Sequence, residues 1–500
     1  MIEVANLTDL IAARAAATPE AVMLVDQDGR TLSFAGYADA VARAAGGLAA
    51  HGIGEGDVVS WQLPTWIESF VLVGALSRLG SVQNPILPIY RQREVGFVCR
   101  QAGTKLLIVP GEWRGFDFLA MAQQIGGVDV LTVNQDLPDG DPADAAKSEG
   151  DPVRWLFYTS GTTADPKGAQ HTDATIMATA IAMDERIALT SADHSGLVFP
   201  FTHIGGITWL FSTLLEGCRT ILVDAFDPVA TPPVLAREGV TLAGSGTTFH
   251  MAYLAAQRTQ PDAHLFPNVR AFPGGGAPKP PQLHYDLKSE VGGVGIVSGY
   301  GLTEAPIIAM ASVTDPDEVL AETEGRATRG VQLRAVTLEG KVAGIGEEGE
   351  IRAKAPQLMK GYLDASLNAD AFDEEGWFRT GDLGVIDADG NVRITGRLKD
   401  IIIRKGENIS AKEVEDLLFT HAEIADVAVI GLPDAAAGEI ACAVVVPAGD
   451  ARVGLTEIAE FLTGKGLMIQ KVPERVEYVD ALPRNPTGKV LKHELRSRYS

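Results

Sequence analysis

Apolar residues recur at three- and four-residue spacing over residues 7–18 and 35–52, where alanine and leucine dominate, and that period predicts two amphipathic helices. The pattern then shortens. Val58-Val59-Ser60-Trp61-Gln62-Leu63 is a buried-strand run stopped by Pro64. Leu106-Leu107-Ile108-Val109, residues 128–133 and Thr220-Ile221-Leu222-Val223 are further β-rich runs separated by helical stretches. Such alternation predicts a layered α/β fold with largely parallel sheets. Residues 136–151, rich in Asp, Pro, Ala and Gly, read as an exposed connection. From about 325 to 395 short strands alternate with glycine turns such as Gly344-Ile345-Gly346 and Asp389-Gly390-Asn391, which predicts a small antiparallel or β-barrel-like subdomain. The segment from Gly396 to Asp400 is the candidate domain boundary. Beyond it, Ile401-Ile402-Ile403 and residues 426–431 predict strands, and residues 410–419 a helix with Ser410 as N-cap and Glu413 closing a capping box. The expected fold class is therefore α/β: a large multi-layered N-terminal domain over 1–396 and a small α+β C-terminal domain over 397–500.

Composition narrows the classes of function. A chain of 500 residues with 46% hydrophobic and 21% charged residues is globular and long enough for two to four folding units. The net charge of −23 argues against nonspecific nucleic-acid partners and against an anionic membrane surface, so a polyanionic ligand must find a local basic patch. Cys99, Cys218 and Cys442 are scattered without metal-ligand spacing and read as buried small hydrophobes in a reducing compartment. The opening Met1-Ile2-Glu3 lacks the character of a signal peptide, and no run of about twenty apolar residues predicts a bilayer span. A cytoplasmic location is the expectation.

The first segment that carries chemistry is Tyr158-Thr159-Ser160-Gly161-Thr162-Thr163-Ala164-Asp165-Pro166-Lys167-Gly168. Small residues, hydroxyls and free backbone N–H groups let a phosphate approach the main chain, and Lys167 can neutralise it. A P-loop NTPase would need Gly-Lys-Ser/Thr, whereas here Pro166-Lys167-Gly168 is followed by Ala169. Four further motifs follow: Gly299-Tyr300-Gly301-Leu302-Thr303-Glu304, Trp377-Phe378-Arg379-Thr380-Gly381-Asp382, Gly396-Arg397-Leu398-Lys399-Asp400, and Pro486-Thr487-Gly488-Lys489.

This set, in this order, resembles the adenylate-forming superfamily of acyl-CoA synthetases, peptide-synthetase adenylation domains and firefly-type luciferases. The resemblance runs from about Leu7 to Lys489. It implies a C-terminal lid that swings on a hinge at Lys399, and a two-step reaction using ATP, Mg²⁺ and coenzyme A. A carboxylate first becomes acyl-AMP with release of pyrophosphate, and then an acyl-CoA thioester. It assigns the phosphates to Thr159, Ser160, Gly161, Thr162, Thr163 and Lys167. Relatives carry glycine where this chain has Ala164, which tests the tolerance of that loop. Tyr300 would lie against adenine, Thr303 would meet the α-phosphate, and Glu304 would help to hold Mg²⁺. Gly274, Gly275, Gly276, Ala277 and Pro278 would border adenine and the acyl carboxylate. Asp382 would accept from the ribose hydroxyls, and Arg397 would reach ribose or phosphate. Lys489 would bridge the acyl carboxylate and the α-phosphate during adenylation. For the second step the lid would rotate and present Lys405, Gly406 and Glu407 to the pantetheine arm. His203 would stand where the acyl pocket meets the thiol tunnel; His171 is expected to be a surface or core histidine without a role.

Phe201, His203, Trp209, Thr247, Thr248, Gly274, Gly275 and Gly299 are the expected acyl pocket, mostly apolar or small. No lysine or aspartate among them could pair an amino acid's charges, which disfavours an amino-acid substrate. Glycines at 205, 206, 246 and 275 suggest open space, hence a bulky hydrophobic acid, aliphatic, alicyclic or polycyclic. The chain stops soon after Lys489, an expectation of a stand-alone ligase that uses free coenzyme A. The resemblance also makes a homodimer a possible state. Two alternatives stay open: an acyl-AMP ligase that loads a separate carrier protein, and a catalytically silent nucleotide- or acyl-binding protein, suggested by Ala164 and Ala327-Thr328-Arg329.

Overall fold

The computed structural model describes the chain except residues 1, 3, 147–149, 160–165, 278, 405–406, 435–436, 450–451 and 486–487, and the side chain of Glu407. The N-terminal periodicity forms helices Leu7–Ala17 and Phe34–Ala50, whose buried faces pack together. Asn6 and Ser33 cap them through side-chain oxygens, each accepting from a backbone N–H three residues on.

Two largely parallel sheets build the main body. One has five strands in the order Leu242–Ala243, His194–Leu197, Arg219–Leu222, Val22–Asp26 and Thr31–Ser33. The other has six, from Lys167–Thr172 through Val153–Thr159, Val82–Pro85, Val58–Trp61 and Leu106–Val109 to Asp129–Thr132. Each is parallel apart from one antiparallel edge pair. One continuous apolar core joins these layers, with Trp61, Trp155, Phe70 and Phe211 fully buried in it. The connection over residues 136–146 lies against helix Phe34–Ala50 and is not a free strand of chain. The Gly140 N–H donates to the Arg43 carbonyl at 3.2 Å, and Arg43 pairs with Asp139 at 2.9 Å.

A third sheet orders Phe272–Gly275, Ile296–Leu302, Ala305–Met310 and Arg326–Ala327. The glycine-punctuated stretch then folds as an antiparallel meander of four strands, Gln332–Val336, Gly349–Lys354, Phe378–Ile386 and Val392–Arg397. The C-terminal part has its own sheet and its own apolar clusters, centred on residues such as Ile409, Val414, Leu418, Val429 and Val445. Ser410 caps helix Ala411–Leu418, accepting from the Glu413 N–H. The capping box is not completed: the Glu413 carboxylate pairs with Lys471 at 2.6 Å, drawn away by a cation from another element. All three cysteines are buried and free. Among the described residues no helix is long and apolar enough to cross a membrane.

Candidate active site

Strands Val153–Thr159 and Lys167–Thr172 are antiparallel, with Thr159 directly opposite Lys167, so both ends of the hydroxyl-rich loop open on one cavity of about 740 Å³. Ser160, Gly161, Thr162, Thr163 and Ala164 themselves lie outside the described residues, as do Pro278, Lys405, Gly406, Pro486 and Thr487. The Lys167 ammonium stands 5.4 Å from the centre of the Tyr362 ring, a cation–π contact that orients it toward the cavity wall.

Most of the second motif is itself strand. Strand Ile296–Leu302 carries Gly299 to Leu302, and Thr303 and Glu304 make the turn into Ala305–Met310. Glu304 is only 8% exposed, and its Oε1 accepts from the Tyr362 hydroxyl at 2.7 Å. His171 supports the same turn. Its Nε2 lies 2.8 Å from the Thr303 carbonyl, which can only accept, so this nitrogen carries the proton. Its Nδ1 lies 3.0 Å from the Thr175 hydroxyl. Burial pushes the imidazole down to about 4, so it is neutral at physiological pH.

Asp382 and Arg397 face each other across strands Phe378–Ile386 and Val392–Arg397. Asp382 is buried; Arg397 Nε donates to Oδ1, and the Tyr300 hydroxyl donates to Oδ2 at 2.9 Å. The two oxygens of Asp382 hold lone pairs beyond those these two bonds use, so acceptor capacity remains. Burial and the adjacent Asp382 hold the Tyr300 phenol well above its ordinary range, keeping it a donor. Burial opposes the charge of Arg397, but Asp382 more than offsets it and the guanidinium stays firmly protonated.

Lys489 arrives from the C-terminal domain. Its N–H donates to Asn485 Oδ1 at 2.8 Å, the Asn485 N–H returns a bond to its carbonyl at 2.9 Å, and the Thr248 hydroxyl reaches the Gly488 carbonyl at 3.4 Å. The lysine lines both the 740 Å³ cavity and an adjoining cleft of about 290 Å³ that Asp382, Arg397, Tyr300 and Ala277 also line. Burial, reinforced by repulsion from Arg397 and only partly offset by Asp382, pushes its ammonium down to about 8. Lys399 lines both spaces too, on the short turn Leu398–Asp400, and burial and Arg397 lower it as well.

The apolar end of the larger cavity is formed by Met183, Phe199, Ile204, Trp209 and Met310, with Gly274, Gly275, Gly276 and Gly299 on one wall. His203 also lines it. Its Nδ1 accepts from the Gly205 N–H at 3.1 Å and caps helix Ile204–Glu216, and burial pushes the ring down to about 4, which leaves Nε2 as a neutral N–H donor.

Three expectations about this end need correcting. Phe201 is fully buried and stacks on Phe70 with ring centroids 3.8 Å apart, so it belongs to the core. Thr247 lines the smaller cleft, and Thr248 braces the Gly488 turn. Gly206 and Gly275 are not vacancies. A Cβ on Gly275 would lie 2.4 Å from the Gly299 carbonyl oxygen, and one on Gly206 would lie 2.6 Å from the backbone of Phe201, so the missing side chains admit neighbouring main chain.

The family model described as AMP-binding enzyme matches residues 11–363, and that described as AMP-binding enzyme C-terminal domain matches 413–489. The chain belongs to the AMP-binding enzyme family. Among curated relatives of this AMP-binding enzyme, the medium-chain fatty-acid–CoA ligase of Escherichia coli (strain K12) is 33% identical over 513 residues, covering 98% of this chain and 90% of that protein. Feruloyl-CoA synthase of Amycolatopsis sp is 32% identical, with 97% of each covered. Among solved structures, ATP-bound MatB from Rhodopseudomonas palustris superposes with a TM-score of 0.89 at 28% identity over 99% of each chain.

Several residues of this AMP-binding enzyme that stand against the motifs carried no sequence signal of their own. Tyr362 and His171 hold the Thr303–Glu304 turn from two other segments. His250, buried beneath the triple glycine, would touch a Cβ on Gly274 at 2.7 Å. A buried histidine beside a glycine run is visible only once the fold brings them together.

Proposed function

We propose that this protein activates a hydrophobic carboxylic acid as its adenylate and transfers the acyl group to coenzyme A. It is an acid–thiol ligase of the AMP-forming kind, with ATP, Mg²⁺ and coenzyme A as its reactants and cofactor. The observation that carries the reading is the position of Lys489. A cation from the C-terminal domain enters the cavity where Thr159, Lys167, Thr303 and Glu304 form one wall and an apolar pocket the other.

In this reading, Lys167 and the loop beside Thr159 hold the β- and γ-phosphates, and Asp382 and Arg397 fix the ribose. Lys489 lies between the carboxylate of the acid and the α-phosphate, where it reduces the repulsion of two anions as the new C–O–P linkage forms and pyrophosphate leaves. Glu304 suits Mg²⁺: it is a hard oxygen donor at the phosphate side, held in place by Tyr362. Neutral His203 presents an N–H at the mouth of the acyl pocket. The boundary is proposed at 396/397, with Lys399 as the hinge that later withdraws Lys489 and brings Lys405, Gly406 and Glu407 to the acyl group. Five apolar side chains lining the pocket support a hydrophobic acid. The buried, free cysteines suit a cytoplasmic setting.

The test is pyrophosphate release with ATP, Mg²⁺ and a panel of aliphatic, alicyclic, polycyclic, aromatic and amino acids, each with and without coenzyme A, followed by mass spectrometry. Acyl-CoA from hydrophobic acids is expected. Acyl-AMP without acyl-CoA would indicate a carrier-loading ligase, and no turnover with any acid would refute the ligase reading.

A further inference from the structure

We propose that Glu324 reads the base of the nucleotide, accepting a hydrogen bond from the 6-amino group of adenine, with Ser298 as its anchor. The inference rests on the nucleotide-binding reading above. Strand Ile296–Leu302 supplies its frame. Successive side chains of a strand alternate, so Ser298 and Tyr300 share one face. Tyr300 and Glu324 both line the 290 Å³ cleft, and Ser298, buried behind it, donates its hydroxyl to Glu324 Oε2.

Position along the strand orders the nucleotide. Thr303 and Glu304 stand at the phosphate end, Tyr300 bonds the ribose-side Asp382, and Ser298 lies two residues farther back, roughly 6.6 Å along the strand. That separation is about the length of a purine, so a base lying on Tyr300 has its outer edge at Glu324. The segment that carries Glu324 is fixed at both sides. Its N–H donates to the Val392 carbonyl at 2.7 Å, and the preceding Thr323 carbonyl accepts from the Lys279 ammonium at 2.8 Å. Lys279 is 7% exposed and directly follows the glycine-rich loop, so it ties the Gly276–Ala277 wall of the cleft to the Glu324 wall.

A carboxylate only accepts. Adenine presents N–H at C6, unsubstituted purine presents none, and guanine and hypoxanthine present a carbonyl oxygen there. A charge-assisted bond to the amino group therefore separates adenine from all three.

Calorimetric titration of the full chain in Mg²⁺, with ATP and with purine riboside 5′-triphosphate, tests this. The native chain should bind ATP about tenfold to a hundredfold more tightly than the analogue that lacks only the amino group. Glu324→Val should bring that ratio close to one by weakening ATP alone. Glu324→Gln, whose amide oxygen still accepts, should retain part of the ratio. A native ratio of one, equal weakening of both triphosphates in Glu324→Val, or tighter native binding of GTP than of ATP would each overturn the assignment. Native binding of neither triphosphate would instead overturn the nucleotide-binding reading itself.

Discussion

The depressed ammonium of Lys489 makes the alkaline limb of the pH–rate profile the most direct probe of its place in the first step. Its ordinary range is near 10.5, and burial together with Arg397 brings it to about 8. On the proposed reading the first step needs the charged form, and that form is lost as pH rises through this value. A group of that pKa is about 90% protonated at pH 7 and about 10% at pH 9, so kcat/KM for adenylation should fall about tenfold across that interval. Bound triphosphate and carboxylate add negative charge beside the ammonium and raise its pKa, so the limb in kcat should lie at higher pH than the limb in kcat/KM.

The assay is pyrophosphate release, compared with thioester formation from preformed acyl-AMP. Lys489→Ala should lose the first by several orders of magnitude and keep the second. Lys489→Arg keeps its charge throughout the assay range, so whatever activity it keeps should show no limb near pH 8. A native kcat/KM profile flat to pH 9.5, or a limb of unchanged position in Lys489→Arg, would refute the reasoning. Equal loss of both half-reactions in Lys489→Ala would remove the lysine from the first step.

Other expectations follow from the same geometry. Tyr362→Phe deletes the 2.7 Å bond to Glu304; the Mg²⁺ concentration for half-maximal adenylation should rise several-fold while KM for the acid stays near native, and the reverse pattern would count against Glu304 as the metal-side carboxylate. Gly275→Ala places a Cβ against the Gly299 carbonyl; a cost of about 1–3 kcal/mol should appear as a lower Tm together with loss of adenylation, and an unchanged Tm would show that the pairing tolerates the methyl. His171 and His250 are both buried and both held down to about 4 in the folded chain, against about 6.5 unfolded. Their folded values are depressed, so the stability they contribute is complete above pH 6.5 and drains away as pH falls toward 4. Tm should drop between pH 7 and pH 5, and the slope should be shallower in His250→Gln.

What the sequence disclosed and what it concealed divide along physical lines. The placement of Tyr300, Thr303 and Glu304 at the two adjoining spaces was legible because they sit in one contiguous run whose glycines and hydroxyls have few other uses. The sheets and helices were legible for the same reason: period two and period 3.6 are local. Contacts that close over long separations were not. Glu304 and Tyr362 are 58 residues apart, and His171 and Thr303 are 132 apart. Phe201 misled because it adjoins His203 in sequence, yet the chain turns there and stacks its ring on Phe70. The glycines misled more instructively. An absent side chain looks the same in a sequence whether it leaves room for a ligand or admits another backbone, and at 206 and 275 it admits backbone.

On the proposed reading, the electrostatics account for a cation delivered by the C-terminal part of the chain. The chain carries −23 overall, but Arg397, Lys399 and Lys489 converge on one junction, with Asp382 and Asp400 among them. Burial lowers both lysines there and repulsion from Arg397 adds to it, so a bound polyanion would relieve unfavourable charge at this junction. On the proposed reading, ATP and carboxylate stabilise the position of the C-terminal domain that brings Lys489 in. Release of pyrophosphate removes much of that negative charge, and the same repulsion then favours withdrawal of Lys489. A lysine fixed on the large domain would supply the charge but not the change of arrangement between two chemical steps.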